Sequence, residues 1–69
     1  MKNLIKERLK ELRKENNLTQ KEVAKILNKS ETGYASWEQG LAEPSINDLM
    51  VLSQFYKTTI DYLVGKDKI

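Results

Sequence analysis

The sequence predicts an all-α fold, a compact five-helix bundle forming one domain. Three observations lead there. Apolar residues recur at i, i+3, i+4 and i+7, the period of a helix with one buried stripe, and no window alternates apolar with polar residues long enough to support a strand. Helix stops at Asn16-Asn17, Asn28, Gly40 and Gly65 alternate with helix starts at Thr19, Ser30, Ser45 and Thr59. The chain holds 69 residues, 39% of them hydrophobic, with only 3 Gly and 1 Pro. That suffices for one small core, leaves no room for a second domain and gives no sign of a flexible linker.

Each element has its own justification. The first helix carries Ile5, Leu9 and Leu12 on one stripe, with Leu4 beside them, and ends near Asn16-Asn17. Lys2, Lys6, Lys10 and Lys14 share another face, where Glu7 and Glu11 sit three residues before Lys10 and Lys14. Such a face reads as solvated and laced with ion pairs, each contributing about 0.3 kcal/mol. For the second helix, Thr19 is the N-cap, Glu22 completes a capping box, and Leu18 with Val23 can form the hydrophobic staple. It carries Val23, Ala24, Ile26 and Leu27 and stops at Asn28, a residue tolerant of the left-handed conformation. Ser30 caps a third helix over residues 31–39, with Tyr34 and Trp37 on one face and Gly40 as its stop. Gly33 within it costs about 1 kcal/mol relative to Ala, so either something approaches the backbone closely or packing holds the helix. Pro44-Ser45 opens a fourth helix whose apolar positions are Leu49, Leu52, Phe55 and Tyr56. Thr59 caps a fifth over residues 60–64, Gly65 ends it, and residues 66–69 are expected to fray.

Composition removes whole classes of chemistry. With Cys 0 and His 0, this chain has no disulfide, no thiolate zinc site and no Ser-His or Cys-His nucleophile, so no metal and no cofactor are expected. An enzyme would need Asp, Glu or Lys chemistry in a domain too small for a deep pocket. The longest uncharged apolar run, LMVL at 49–52, falls far short of the roughly 20 residues of a membrane span, and the N-terminus lacks the form of a signal peptide. A cytoplasmic protein without a membrane partner is the expectation. Net charge is +2, but residues 1–18 hold six basic and three acidic side chains, against three and three in 19–40 and three and four in 41–69. Positive charge is concentrated towards the N-terminus.

Two short helices separated by Asn28, Lys29 and Ser30 form a helix-turn-helix layout, whose second helix is the one offered to the DNA major groove. Residues 19–40, TQKEVAKILNKSETGYASWEQG, also resemble the helix-turn-helix of the lambda and 434 repressor and Cro family, including the Xre-type regulators. The resemblance runs without a gap from RLKELRKENN through EPSINDLMVLSQFYKTTIDYLVG and so covers nearly the whole chain. It implies a bundle of the lambda repressor-like type with the helix-turn-helix at the second and third helices. Residues 1–65 would then be the DNA-binding domain and 66–69 its tail.

That resemblance also implies roles for individual residues. Gln20 stands where the family bridges a phosphate and the recognition helix, a task suited to an amide that donates and accepts at once. Ser30, Glu31, Thr32 and Ser36 fall on groove-facing positions, with Gly33 and Gln39 on the same exposed helix. Glu31 can accept from cytosine N4, and Thr32 can offer a hydroxyl to several bases or a methyl to thymine. The plainer role for Glu31 is a favourable negative charge at a helix start. Arg13 and Glu38 occupy positions that form an ion pair in 434-like members, the alternative being two unlinked surface charges. Trp37 reads as a core anchor, Ala24 as the small residue that lets the motif helices approach, and Tyr34, Leu27, Val23, Leu49 and Leu52 as core.

One departure from the family pattern matters. The stretch 31–39 contains no basic residue, so bidentate arginine-guanine contacts are not available from it. Phosphate anchoring is then expected from Lys21, Lys25, Lys29, the amides near Gln39 and Gly40, and the N-terminal lysines. The implied function is transcription regulation, as a repressor of phage, prophage or mobile-element type acting on a double-stranded DNA operator. A homodimer would read half-sites about 34 Å apart, through an interface drawn from Phe55, Ile60, Tyr62, Val64 and Ile69, with no small-molecule effector. The rival is a protein-binding adaptor on the same fold, such as an antirepressor or antitoxin-like partner.

Overall fold

The computed structural model describes residues 4–66. They form α1 (Ile5–Glu15), α2 (Gln20–Ile26), α3 (Glu31–Gln39), α4 (Ile46–Phe55) and α5 (Ile60–Val64), with no strand among the described residues. The all-α, five-helix reading therefore holds. Lys2, Ile69 and the tail beyond Lys66 lie outside the described residues.

Hydroxyl caps set four of the five starts. Thr19, Ser30, Ser45 and Thr59 accept from the amides of Glu22, Gly33, Asp48 and Tyr62, and the first and third of these complete capping boxes with Glu22 and Asp48. The ends are as local. Asn17, Asn28, Gly40 and Gly65 all take positive φ, where a short polar side chain or none at all is tolerated. Lys57 does the same without that advantage, at φ 55°, held by the hydrogen bond from the Thr58 amide to the Ser53 carbonyl.

The helices bury one stripe each around a common core. From α1 come Ile5, Leu9 and Leu12; from α2 and its cap Val23, Ala24 and Leu27; from α3 Tyr34 and Trp37; from α4 Leu49 and Leu52. Leu63 of α5, fully buried, completes it. α1 packs across α3 and α5, α2 against α3, and α4 against α5. Ile26 and Phe55 are 45% and 39% exposed, because each lies roughly a quarter turn off the stripe its helix buries. Glu7 and Glu11 form no ion pair with Lys10 or Lys14, and all four side chains are exposed.

The start of α1 and the end of α5 are tied together. The Leu4 amide donates to the Val64 carbonyl at 3.1 Å. Arg8, only 5% exposed on the α1 stripe, donates through Nη1 to the Tyr62 carbonyl at 2.8 Å and lies 3.9 Å from the centroid of the Tyr62 ring. A Cβ at Gly65 would sit 2.6 Å from Leu4 Cγ, so close approach and a φ of +86° both require glycine there.

Candidate nucleic-acid interface

The α2–turn–α3 unit is assembled from local signals. After Leu27, Asn28 takes the left-handed conformation and the Lys29 amide donates to the Ala24 carbonyl at 2.8 Å, closing α2. Ser30 Oγ then accepts from the Gly33 amide at 3.0 Å and starts α3. A Cβ on residue 33 would stand 2.9 Å from Ser30 Oγ, so the glycine leaves room for the cap.

The inner side of α3 is fixed by aromatic packing and one carboxylate. Tyr34 and Trp37 are buried and meet edge to face with centroids 5.7 Å apart. Glu38 is 3% exposed. Its Oε2 accepts from Arg13 Nε at 2.7 Å and from the Tyr34 hydroxyl at 2.6 Å, while Oε1 accepts from Arg13 Nη2 and Gln20 Nε2, both at 3.1 Å. Arg13 also donates to the Leu18 carbonyl at 3.0 Å. One carboxylate therefore joins α1, α2 and α3. Burial works to raise the Glu38 carboxyl, but the bonds from Arg13, Tyr34 and Gln20 prevail and hold it below the usual carboxylate range. Burial, and then the Glu38 hydrogen bond, push the Tyr34 hydroxyl far up. The Tyr56 hydroxyl is buried without a hydrogen-bond partner among the described residues, and burial with the nearby Glu38 charge raises it to about 12.

The outer side is different in kind. Glu31, Thr32, Gly33 and Gln39 are exposed and Ser36 is half-buried, its Oγ donating to the Gly33 carbonyl at 2.6 Å. Beside them a groove of about 350 Å³ is lined by Lys21, Ala24, Lys25, Asn28, Lys29 and Glu31. Three lysines and one glutamate stand among its lining residues, so basic side chains outnumber acidic ones there. Lys29 Nζ also lies 3.4 Å from Asp48 Oδ1. Partial burial works to raise Asp48, yet bonds from the Ser45 amide and hydroxyl, with the Lys29 charge, hold it below its ordinary value.

The expected sites thus fall into separate places. Lys21, Lys29 and Glu31 line one groove, and Ser30, Thr32, Gly33 and Gln39 are exposed and Ser36 half-buried along α3 and its cap, whereas the Gln20 amide points one donor inward to Glu38. The expectation that amides near Gln39 and Gly40 anchor phosphate is corrected for Gly40 and Leu41, whose amides donate to the Trp37 and Ser36 carbonyls and are committed to ending α3. Of the dimer candidates, Phe55 is exposed, while Ile60, Tyr62 and Val64 pack in part against the core. Sequence reasoning missed Tyr34 as a donor to Glu38, although the i, i+4 spacing carried that signal, and Asp48 as a partner of Lys29, for which no local signal exists.

A protein-family model described as Helix-turn-helix matches residues 9–63. The chain belongs to this helix-turn-helix family. Its lambda repressor-like, Xre-type resemblance is thereby confirmed, and the family is one of DNA-binding proteins that are not enzymes. This helix-turn-helix chain is 39% identical over 62 residues to the HTH-type transcriptional regulator ImmR of Bacillus subtilis (strain 168), matching 90% of itself and 49% of ImmR. It is 36% identical over 63 residues to the HTH-type transcriptional activator BcrR of Enterococcus faecalis, matching 91% of itself and 31% of BcrR. Against the crystal structure of a transcriptional regulator from Listeria innocua, the TM-score is 0.90 at 31% identity, covering 94% of this chain and 61% of that one. The helix-turn-helix chain spans about half the length, or less, of these curated relatives. No helix among its described residues is long and apolar enough to cross a membrane.

Proposed function

We propose that this chain regulates transcription by seating α3 in the major groove of a double-stranded DNA operator. Glu31, Thr32, Gly33 and Ser36 face the bases, Gln20, Ser30 and Gln39 flank them, and Lys21, Lys25 and Lys29 neutralise phosphates. The observation that carries this reading is the three-lysine groove running beside the exposed side of a capped, internally fixed α3. Fixed geometry with free side chains is what base readout requires. The regulator is a cytoplasmic repressor of phage, prophage or mobile-element type. It acts as a homodimer on half-sites about one turn apart, since one domain of this size makes too few contacts for tight binding. Phe55, Ile60, Tyr62 and Val64 supply the dimer contact, and no effector, cofactor or metal takes part.

The test is retention of duplex DNA as a function of salt. Affinity should fall linearly in log-log form with a slope of about −0.9 per phosphate neutralised, and selection from a random duplex pool should enrich an inverted repeat. A folded protein that retains no duplex at low salt would instead be an adaptor for a protein partner.

A further inference from the structure

On the outer side of α3 the hydrogen-bonding polarity of two side chains is already decided. Glu31 is exposed, forms no ion pair among the described residues, and as a carboxylate only accepts. Ser36 Oγ lies 2.6 Å from the Gly33 carbonyl oxygen, which also only accepts, so the hydroxyl proton is committed to the backbone and the outward lone pairs accept. The remaining polar groups are not decided in this way. Ser30 Oγ accepts from the Gly33 amide and keeps its own proton, and the Thr32 hydroxyl and Gln39 amide turn to suit either partner.

Bases differ in what they offer such acceptors. In the major groove guanine presents two acceptors, N7 and O6, thymine presents O4, and adenine places its N6 donor beside the N7 acceptor. Cytosine alone presents an amino donor without an acceptor of its own beside it. A carboxylate facing guanine or thymine meets only oxygen or nitrogen lone pairs and stays desolvated and unpaired. Lys21, Lys25 and Lys29 border Glu31 along the groove and offset its charge near the phosphates, so the carboxylate can enter a polyanionic surface.

We propose that Glu31 is the specificity-determining residue of α3 and selects cytosine through its N4 amino group, with Ser36 presenting a second acceptor to an amino-bearing base. This rests on the reading of the chain as a major-groove binder. The experiment is selection of the chain and of E31Q, separately, against one random duplex DNA pool, followed by sequencing and by binding to the selected site. The chain should enrich a fixed cytosine in each half-site. E31Q should exchange it for adenine, whose N6 and N7 match a glutamine amide. On the chain's own site, replacing that cytosine·guanine pair by thymine·adenine should weaken binding roughly ten-fold or more, and this arm needs no variant protein. If E31Q selects the same base, or the thymine site binds equally well, or duplex is retained without sequence preference, the assignment of Glu31 falls while DNA binding stands. If no duplex is retained at low salt, the major-groove reading itself falls and this assignment with it.

Discussion

At the C-terminal end of α3, Glu38 is 3% exposed and accepts from Arg13, Gln20 and Tyr34, whereas Glu31, two turns earlier on the same helix, is exposed and forms no ion pair among the described residues. The side chain is the same and the surroundings are opposite. One end of the helix lies beneath α1 and α2, where a charge can persist only with its donors in place. The other end is exposed beside Lys21, Lys25 and Lys29 and is left with unused hydrogen-bonding capacity. A recognition helix needs both conditions, since a base-reading side chain discriminates only if the backbone that carries it does not move.

Breaking the buried end should have the largest effect. E38A leaves Arg13, Gln20 and the Tyr34 hydroxyl without their acceptor, at a cost of about 3–5 kcal/mol in urea unfolding. Removing Arg13 as well should cost less than the sum of the two single changes, and a double-mutant cycle reads the difference as coupling. Independent losses would dissolve the network as a unit. The pH dependence sharpens the same point. Because the folded Glu38 carboxyl lies below its ordinary value of 4.5, its contribution is complete above that pH and is lost as pH falls through the lower folded value. Unfolding free energy of the chain should therefore decline in that acid range more steeply than that of E38Q, with the partly protected Asp48 contributing to what remains.

How much of this arrangement the residues disclose depends on distance along the chain. Caps and stops were legible because each is settled within four residues, as at Thr19 with Glu22 and at Asn28. The helix-turn-helix surface followed from them once its family pattern was recognised. Arg13 and Glu38, 25 residues apart, came together only through that resemblance, since no local rule joins them. Arg8 was missed because a charge on an apolar stripe reads as an interruption, and the Tyr62 carbonyl and ring that satisfy it lie 54 residues away. Phe55, an apolar position of the fourth helix and a dimer candidate in the sequence, is 39% exposed, since hydrophobicity does not say how wide a stripe its neighbours will cover.

The turn between the two ends of the comparison should respond more weakly. S30A removes the hydroxyl that accepts from the Gly33 amide, and losing an N-cap costs about 1 kcal/mol. Hydrogen exchange should show the loss confined to the first turn of α3, because Tyr34, Trp37 and Glu38 hold the rest.

The smallest stability effect is expected at Lys29. Its side chain is 43% exposed, and Asp48 keeps the Ser45 amide and hydroxyl as partners after the ammonium is gone, so K29A should cost no more than about 0.5 kcal/mol. Its effect on DNA should be larger than that figure suggests. If Lys29 neutralises one phosphate, K29A reduces the slope of log affinity against log salt by about 0.9 and weakens all sequences alike. A K29A chain that unfolds as readily as E38A, with an unchanged salt slope, would make Lys29 part of the buried architecture. Were the ammonium to serve a phosphate as well, it would do so because its 3.4 Å contact with Asp48 is long and its own side chain is exposed. A lysine as firmly held as Arg13 would have nothing to offer a phosphate.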